Sequence, residues 1–108
     1  MTSIDLSVKG REYEEIYKAV LLAVRSCGFA PSCKGASENV FIFTRLSELF
    51  KVGSILFDQG FIVTDQALLA RQKGLSRQAI SNAAWRDGTG VFLAVDDYKG
   101  LFRVDKVN

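Results

Sequence analysis

The sequence predicts an α+β fold: an N-terminal strand–helix–strand segment, then two short helices joined by a tight turn, then a C-terminal β-hairpin. Three observations carry this. Apolar side chains between residues 11 and 27 recur at spacings of three and four. Residues 66–85 place a glycine and a serine where two helices meeting at a sharp turn need them. Residues 91–95 and 101–104 are apolar runs flanking a stretch rich in turn formers.

Taken in order, Ile4, Leu6 and Val8 alternate with Asp5 and Ser7, which predicts a short strand. Tyr13, Ile16, Tyr17, Val20, Val24 and Cys27 then form one apolar helical face, with Glu12, Glu15, Lys18 and Arg25 largely off it. Gly28 stops this helix and Pro31 prevents its resumption. The stretch 32–39 has the composition of a loop, and Val40-Phe41-Ile42-Phe43 reads as a buried strand. Thr44 is expected to cap a helix over residues 45–51, with Leu46, Leu49 and Phe50 facing inward. Residues 52–63 are apolar but interrupted by Gly53 and Gly60, and the pattern leaves helix and strand both open. Thr64 or Asp65 caps a helix ending at Gly74, and Ser76 caps a second ending near Gly88. A turn of about five residues, 96–100, closes the hairpin. This divides the chain into residues 1–43, an α+β segment of unassigned role, and residues 44–108, which hold the paired helices and the hairpin.

Composition excludes several classes. With 48% apolar and 24% charged residues over 108 positions, the chain can bury a core without staples. No apolar run reaches the roughly 18 to 20 residues of a membrane span, and MTSIDLSVKG lacks the order of a secretory signal. Cytoplasmic residence is therefore the expectation, with Cys27 and Cys33 as reduced thiols rather than a disulfide or metal framework. The absence of histidine removes the usual general base and nitrogen ligand, so no catalytic residue, metal site or cofactor is expected.

Net charge is +2, but its distribution is uneven. Residues 1–63 hold seven basic and seven acidic side chains, whereas residues 66–86 hold Arg71, Lys73, Arg77 and Arg86 with no acid. A basic stretch confined to one segment fits phosphate attraction, and it also fits a solvated helical face.

In that segment Ala70 is small where one helix crosses the next, Gly74 tolerates a positive φ in the turn, and Leu69, Leu75, Ile80 and Ala83 lock the pair. With Arg77 at 0°, Ser81, Gln78 and Asn82 fall at about 40°, 100° and 140°, while Ala83 and Ile80 fall at about 240° and 300°. The free face thus carries a guanidinium, two carboxamides and a hydroxyl, the groups that read base edges in the major groove. A structural helical hairpin with a polar outer face is the alternative. Trp85 lies on the same side but two turns further on, where packing is expected rather than base contact.

This segment, with the hairpin GVFLAVDDYKGLFRV after it, resembles the helix-turn-helix of the phage Cro and repressor family over residues 64–106. The resemblance implies that Arg77, Gln78, Ser81 and Asn82 read bases, and that Gln66, opening the first helix, contacts phosphate. Arg71, Lys73, Ser76 and Arg86 are the further phosphate contacts expected from charge and helix-end position. Lys73 departs from the family, which usually has an apolar residue there. The hairpin is apolar on both faces (Val91, Leu93, Val95 against Phe92, Ala94), so the N-terminal segment or a second subunit is expected to cover the second. The resulting expectation is a non-enzymatic, sequence-specific double-stranded DNA-binding regulator, a repressor acting as a homodimer on a pseudo-palindromic operator. The rival expectation is a protein-interaction module, or an inhibitor of a host factor, acting through the N-terminal segment.

Overall fold

A computed structural model describes residues 2–34, 38–66, 68, 90–96 and 98–107. Its elements are α1 (Thr2–Cys27), β1 (Ser32–Lys34), β2 (Val40–Phe43), α2 (Leu46–Asp58), β3 (Phe61–Asp65), β4 (Val91–Val95) and β5 (Tyr98–Lys106). The five strands form one mixed sheet in the order β1-β2-β4-β5-β3. The architecture is α+β, as the periodicities predict.

Helix α1 is longer than expected, because the chain is already helical at residues 4–8, where alternation predicts a strand. Three alternating apolar residues are a short signal, and Ile4 and Val8 are also one helical turn apart. The stop at Gly28 holds. Gly28 has φ 75°, its N–H donates to Arg25 O at 3.0 Å, and Phe29 N–H donates to Val24 O at 3.1 Å. This left-handed cap with its two backward bonds favours a residue without Cβ. Phe29 then turns edge-on to Phe43, with ring centroids 6.4 Å apart.

Residues 32–34, expected as loop, form an edge strand with exposed side chains, antiparallel to β2. Backbone pairing with residues 40–42 makes β1, which is why its side chains carry no strand pattern. Helix α2 runs seven residues past its expected end, to Asp58, so the ambiguous stretch resolves into helix, turn and strand. Arg45, not Thr44, occupies the N-cap, and the Glu48 carboxylate accepts from the Thr44 and Arg45 N–H groups at 3.1 and 3.3 Å. Leu49 is buried and Leu46 half-buried as expected, but Phe50 points out.

The hairpin is present with a shorter turn, since Val95 already pairs with Tyr98 and the register then shifts by two residues before Ala94 meets Leu101. Strands β2 and β4 run parallel, Phe41 opposite Leu93. One face of the sheet carries Phe41, Phe43, Leu93, Phe102 and Val104, which share the main core with Val20, Val24, Leu49, Val52 and Leu56 of the two helices. The opposite face carries a smaller cluster, in which Val40 and Phe92 are buried and Ile42, Ala94 and Leu101 half-buried. The N-terminal helix therefore covers the Val91/Leu93/Val95 face of the hairpin, not the Phe92/Ala94 face. Across residue 43, β2 pairs with β4 and α1 packs against α2.

Candidate nucleic-acid interface

The expected base readers Arg77, Gln78, Ser81 and Asn82, and the expected phosphate contacts Arg71, Lys73, Ser76 and Arg86, lie outside the described residues. So do Gly74, the Ser76 cap and Trp85. The described chain meets this segment at two points, the end of β3 and the start of β4.

At the first, Thr64 and Asp65 finish β3, and Gln66 and Leu68 have helical backbone; the rest of the expected helix lies outside the described residues. Gln66 is only 6% exposed, and its side-chain amide donates to Thr64 O at 3.3 Å. It is turned toward its own strand rather than presented to solvent. Leu68 is exposed.

At the second point the chain is fixed by Asn39, a residue that sequence reading did not single out. Its Nδ2 donates to Gly90 O at 2.8 Å, and its own carbonyl accepts from Phe92 N–H at 2.8 Å. Asn39 is fully buried beside the start of β2, and bonding a buried amide this way offsets the cost of taking it out of water. Gly90 is required by space, because a Cβ there would stand 2.8 Å from Phe92 Cε1. One signal could have found this anchor: an asparagine immediately before an apolar strand, a residue type that commonly bonds nearby backbone.

Near this anchor, Arg103 lies over the Phe92 ring at 5.7 Å and pairs with Asp105 at 3.1 Å. At the far end of β5, Lys106 pairs with Glu15 of α1 at 2.9 Å. Both pairs are exposed and contribute little to stability.

The other described groups with chemistry lie together on α1 and β1. Tyr13 and Tyr17 stack at 5.8 Å, and Tyr17 meets Phe41 at 5.3 Å. Burial pushes the Tyr13 and Tyr17 hydroxyls above the usual tyrosine range, helped for Tyr13 by Tyr17 and for Tyr17 by Cys33 and Glu38. Partial burial, then the Glu38 carboxylate, raises the Cys33 thiol. All three therefore keep their protons at neutral pH, the opposite of an activated nucleophile. Cys27 and Cys33 are free thiols. Among the described residues no cluster of His, Cys, Asp or Glu could hold a metal, and no helix is long and apolar enough to cross a membrane. An open apolar cavity of about 220 Å³ lies between α2 and the sheet edge, lined by Leu49, Phe50, Gly53, Val63 and Phe102.

No family model matches the chain, and no curated protein and no solved structure is similar to it.

Proposed function

We propose that the chain is a sequence-specific double-stranded DNA-binding regulator, a cytoplasmic repressor that reads a pseudo-palindromic operator as a homodimer. One observation carries the reading: within residues 66–86 the sequence combines a glycine and a serine at the spacing of a turn and a helix cap, an acid-free set of four cations, and a helical periodicity that groups Arg77, Gln78, Ser81 and Asn82 on one side. Each alone is common. Together they supply both terms that DNA recognition needs, phosphate attraction and base-edge hydrogen bonding.

In this reading Arg77, Gln78, Ser81 and Asn82 enter the major groove on the second helix. Arg71, Lys73, Ser76 and Arg86 hold the backbone on either side. Gln66 joins them by exchanging its bond to the Thr64 carbonyl for a phosphate oxygen. The helical start at Gln66 supports the motif's register, and the Asn39–Gly90 bond gives the segment a fixed point of return to the sheet. Repression would follow from occupancy, by excluding polymerase from an overlapping promoter.

The test is selection of bound sites from a random duplex pool, followed by salt titration of the selected site. The expected result is a two-fold-symmetric site whose affinity falls steeply with salt. Arg77→Ala and Gln78→Ala should each cost about 1–3 kcal/mol there while leaving the melting temperature unchanged. Recovery of no site, or full binding by both variants, would remove the reading.

A further inference from the structure

The outward side of α2 carries two large aromatic rings that the described residues leave exposed. Phe50 and Phe57 are 58% and 68% exposed, two turns apart on the same helix. Exposed Lys51, Ser54 and Asp58 share their side: with Phe50 as origin, all five fall within a sector about 120° wide. Leu49, Val52 and Leu56 face the other way, into the core. The outward stripe is nearly symmetric about its middle. A phenylalanine and a charged residue precede Ser54, a phenylalanine and a charged residue of opposite sign follow it, and the centre is small.

We infer that this stripe is a homodimer interface, in which α2 packs antiparallel against α2 of a second copy about a two-fold axis near Ser54. An isologous contact requires a surface complementary to itself. Antiparallel pairing brings Phe50 against Phe57 of the second copy, and Lys51 against its Asp58, twice over by symmetry. Among the described residues neither Lys51 nor Asp58 makes an ion pair. Ser54 at the axis lets the helices approach closely, since side chains at the crossing set the interaxial distance. Charge complementarity is what selects a second copy: the order cation-then-anion along the helix is satisfied by its own reversal. An unrelated apolar helix would not need it.

The interface deepens the DNA-binding reading and rests on it for what the dimer does, but it is measured without DNA. Sedimentation equilibrium of the full chain from low to several hundred micromolar should show a reversible dimer. Phe50→Ser and Phe57→Ser should each raise its dissociation constant about tenfold or more. Lys51→Asp and Asp58→Lys alone should each weaken it about three- to tenfold, and the double reversal should restore it. Melting temperature and circular dichroism of each variant, taken at dilution, control for folding.

Loss of dimer in the phenylalanine variants together with rescue by the double reversal supports the interface. A monomeric wild type, or any other pattern across the variants, overturns it. A monomer that still binds a selected DNA site would remove the interface and spare the DNA-binding reading. A dimer with the expected variant pattern that selects no site would do the reverse.

Discussion

On one side of α2, Leu49, Val52 and Leu56 are sealed between the sheet and α1; on the other, Phe50 and Phe57 stand in solvent beside lysine, serine and aspartate. Both sides carry large apolar side chains, yet only one belongs to the described core of the single chain. What separates them is the direction each faces and what it meets there. The inner set repeats at three and four residues and matches the sheet it meets, whereas the outer set has the same period but, among the described residues, no element packed over it. The exposed pair of aromatic rings on this helix of thirteen residues is what the proposed interface would cover.

The largest effect expected along this contrast is at Leu56. It is fully buried, so Leu56→Ala should cost about 2–5 kcal/mol in a urea titration through lost transfer energy and a cavity. A loss under about 1 kcal/mol would mean that the inner side is not packed as described. Glu48 comes next, since its carboxylate bonds two N–H groups at the helix entry. Glu48→Ala should lower stability by about 1 kcal/mol, read from the same titration.

Gly53 sits between the two sides, and a Cβ there would meet only Val63 Cγ2 at an ordinary 3.7 Å. Gly53→Ala should therefore stabilise the monomer by about 0.5–1 kcal/mol through helix propensity, seen as a raised melting temperature. The smallest effect is expected outside. Phe57→Ser should shift monomer stability by about 0.5 kcal/mol or less, measured at dilutions where the midpoint no longer depends on protein concentration. A large loss there would place Phe57 in the monomer's own core and erase the contrast.

How much of this was legible depends on how local the signal is. The helix face from Tyr13 to Cys27 and its stop at Gly28 are local patterns, and the structure contains them. So are the strands at 40–43 and 91–95. Strand β1 was not legible, because Ser32, Cys33 and Lys34 are exposed and only backbone pairing makes them a strand. Phe50 forms an i, i+3, i+4 set with Leu46 and Leu49, which predicts it inward; a window ending at Lys51 is too short to fix the phase of a helix that runs to Asp58. The sheet order was beyond reach, since a parallel pair distant in sequence leaves no periodic trace. Of the candidate interface, the sequence supplied the proposed readers and the proposed turn, which lie outside the described residues. It did not supply Asn39, whose role depends on a carbonyl 51 positions away.

The parallel pairing of β2 with β4 also sets the order in which this chain can become a folded object. Phe41 finds Leu93 only after about fifty intervening residues have been made. Until then β2 has just the three residues of β1 beside it, and the inward sides of α1 and α2 lack the strands that complete their core. A chain stopped before Val91 would leave the other edge of β2, with Phe41 and Phe43, without its strand partner, a template for sticking to its neighbours. Sheet closure is thus a late, long-range event, and loop-closure entropy makes such events slow compared with helix formation. The carboxyl-terminal hairpin, which looks like an appendage when read along the sequence, is the part that ends the nascent chain's exposure.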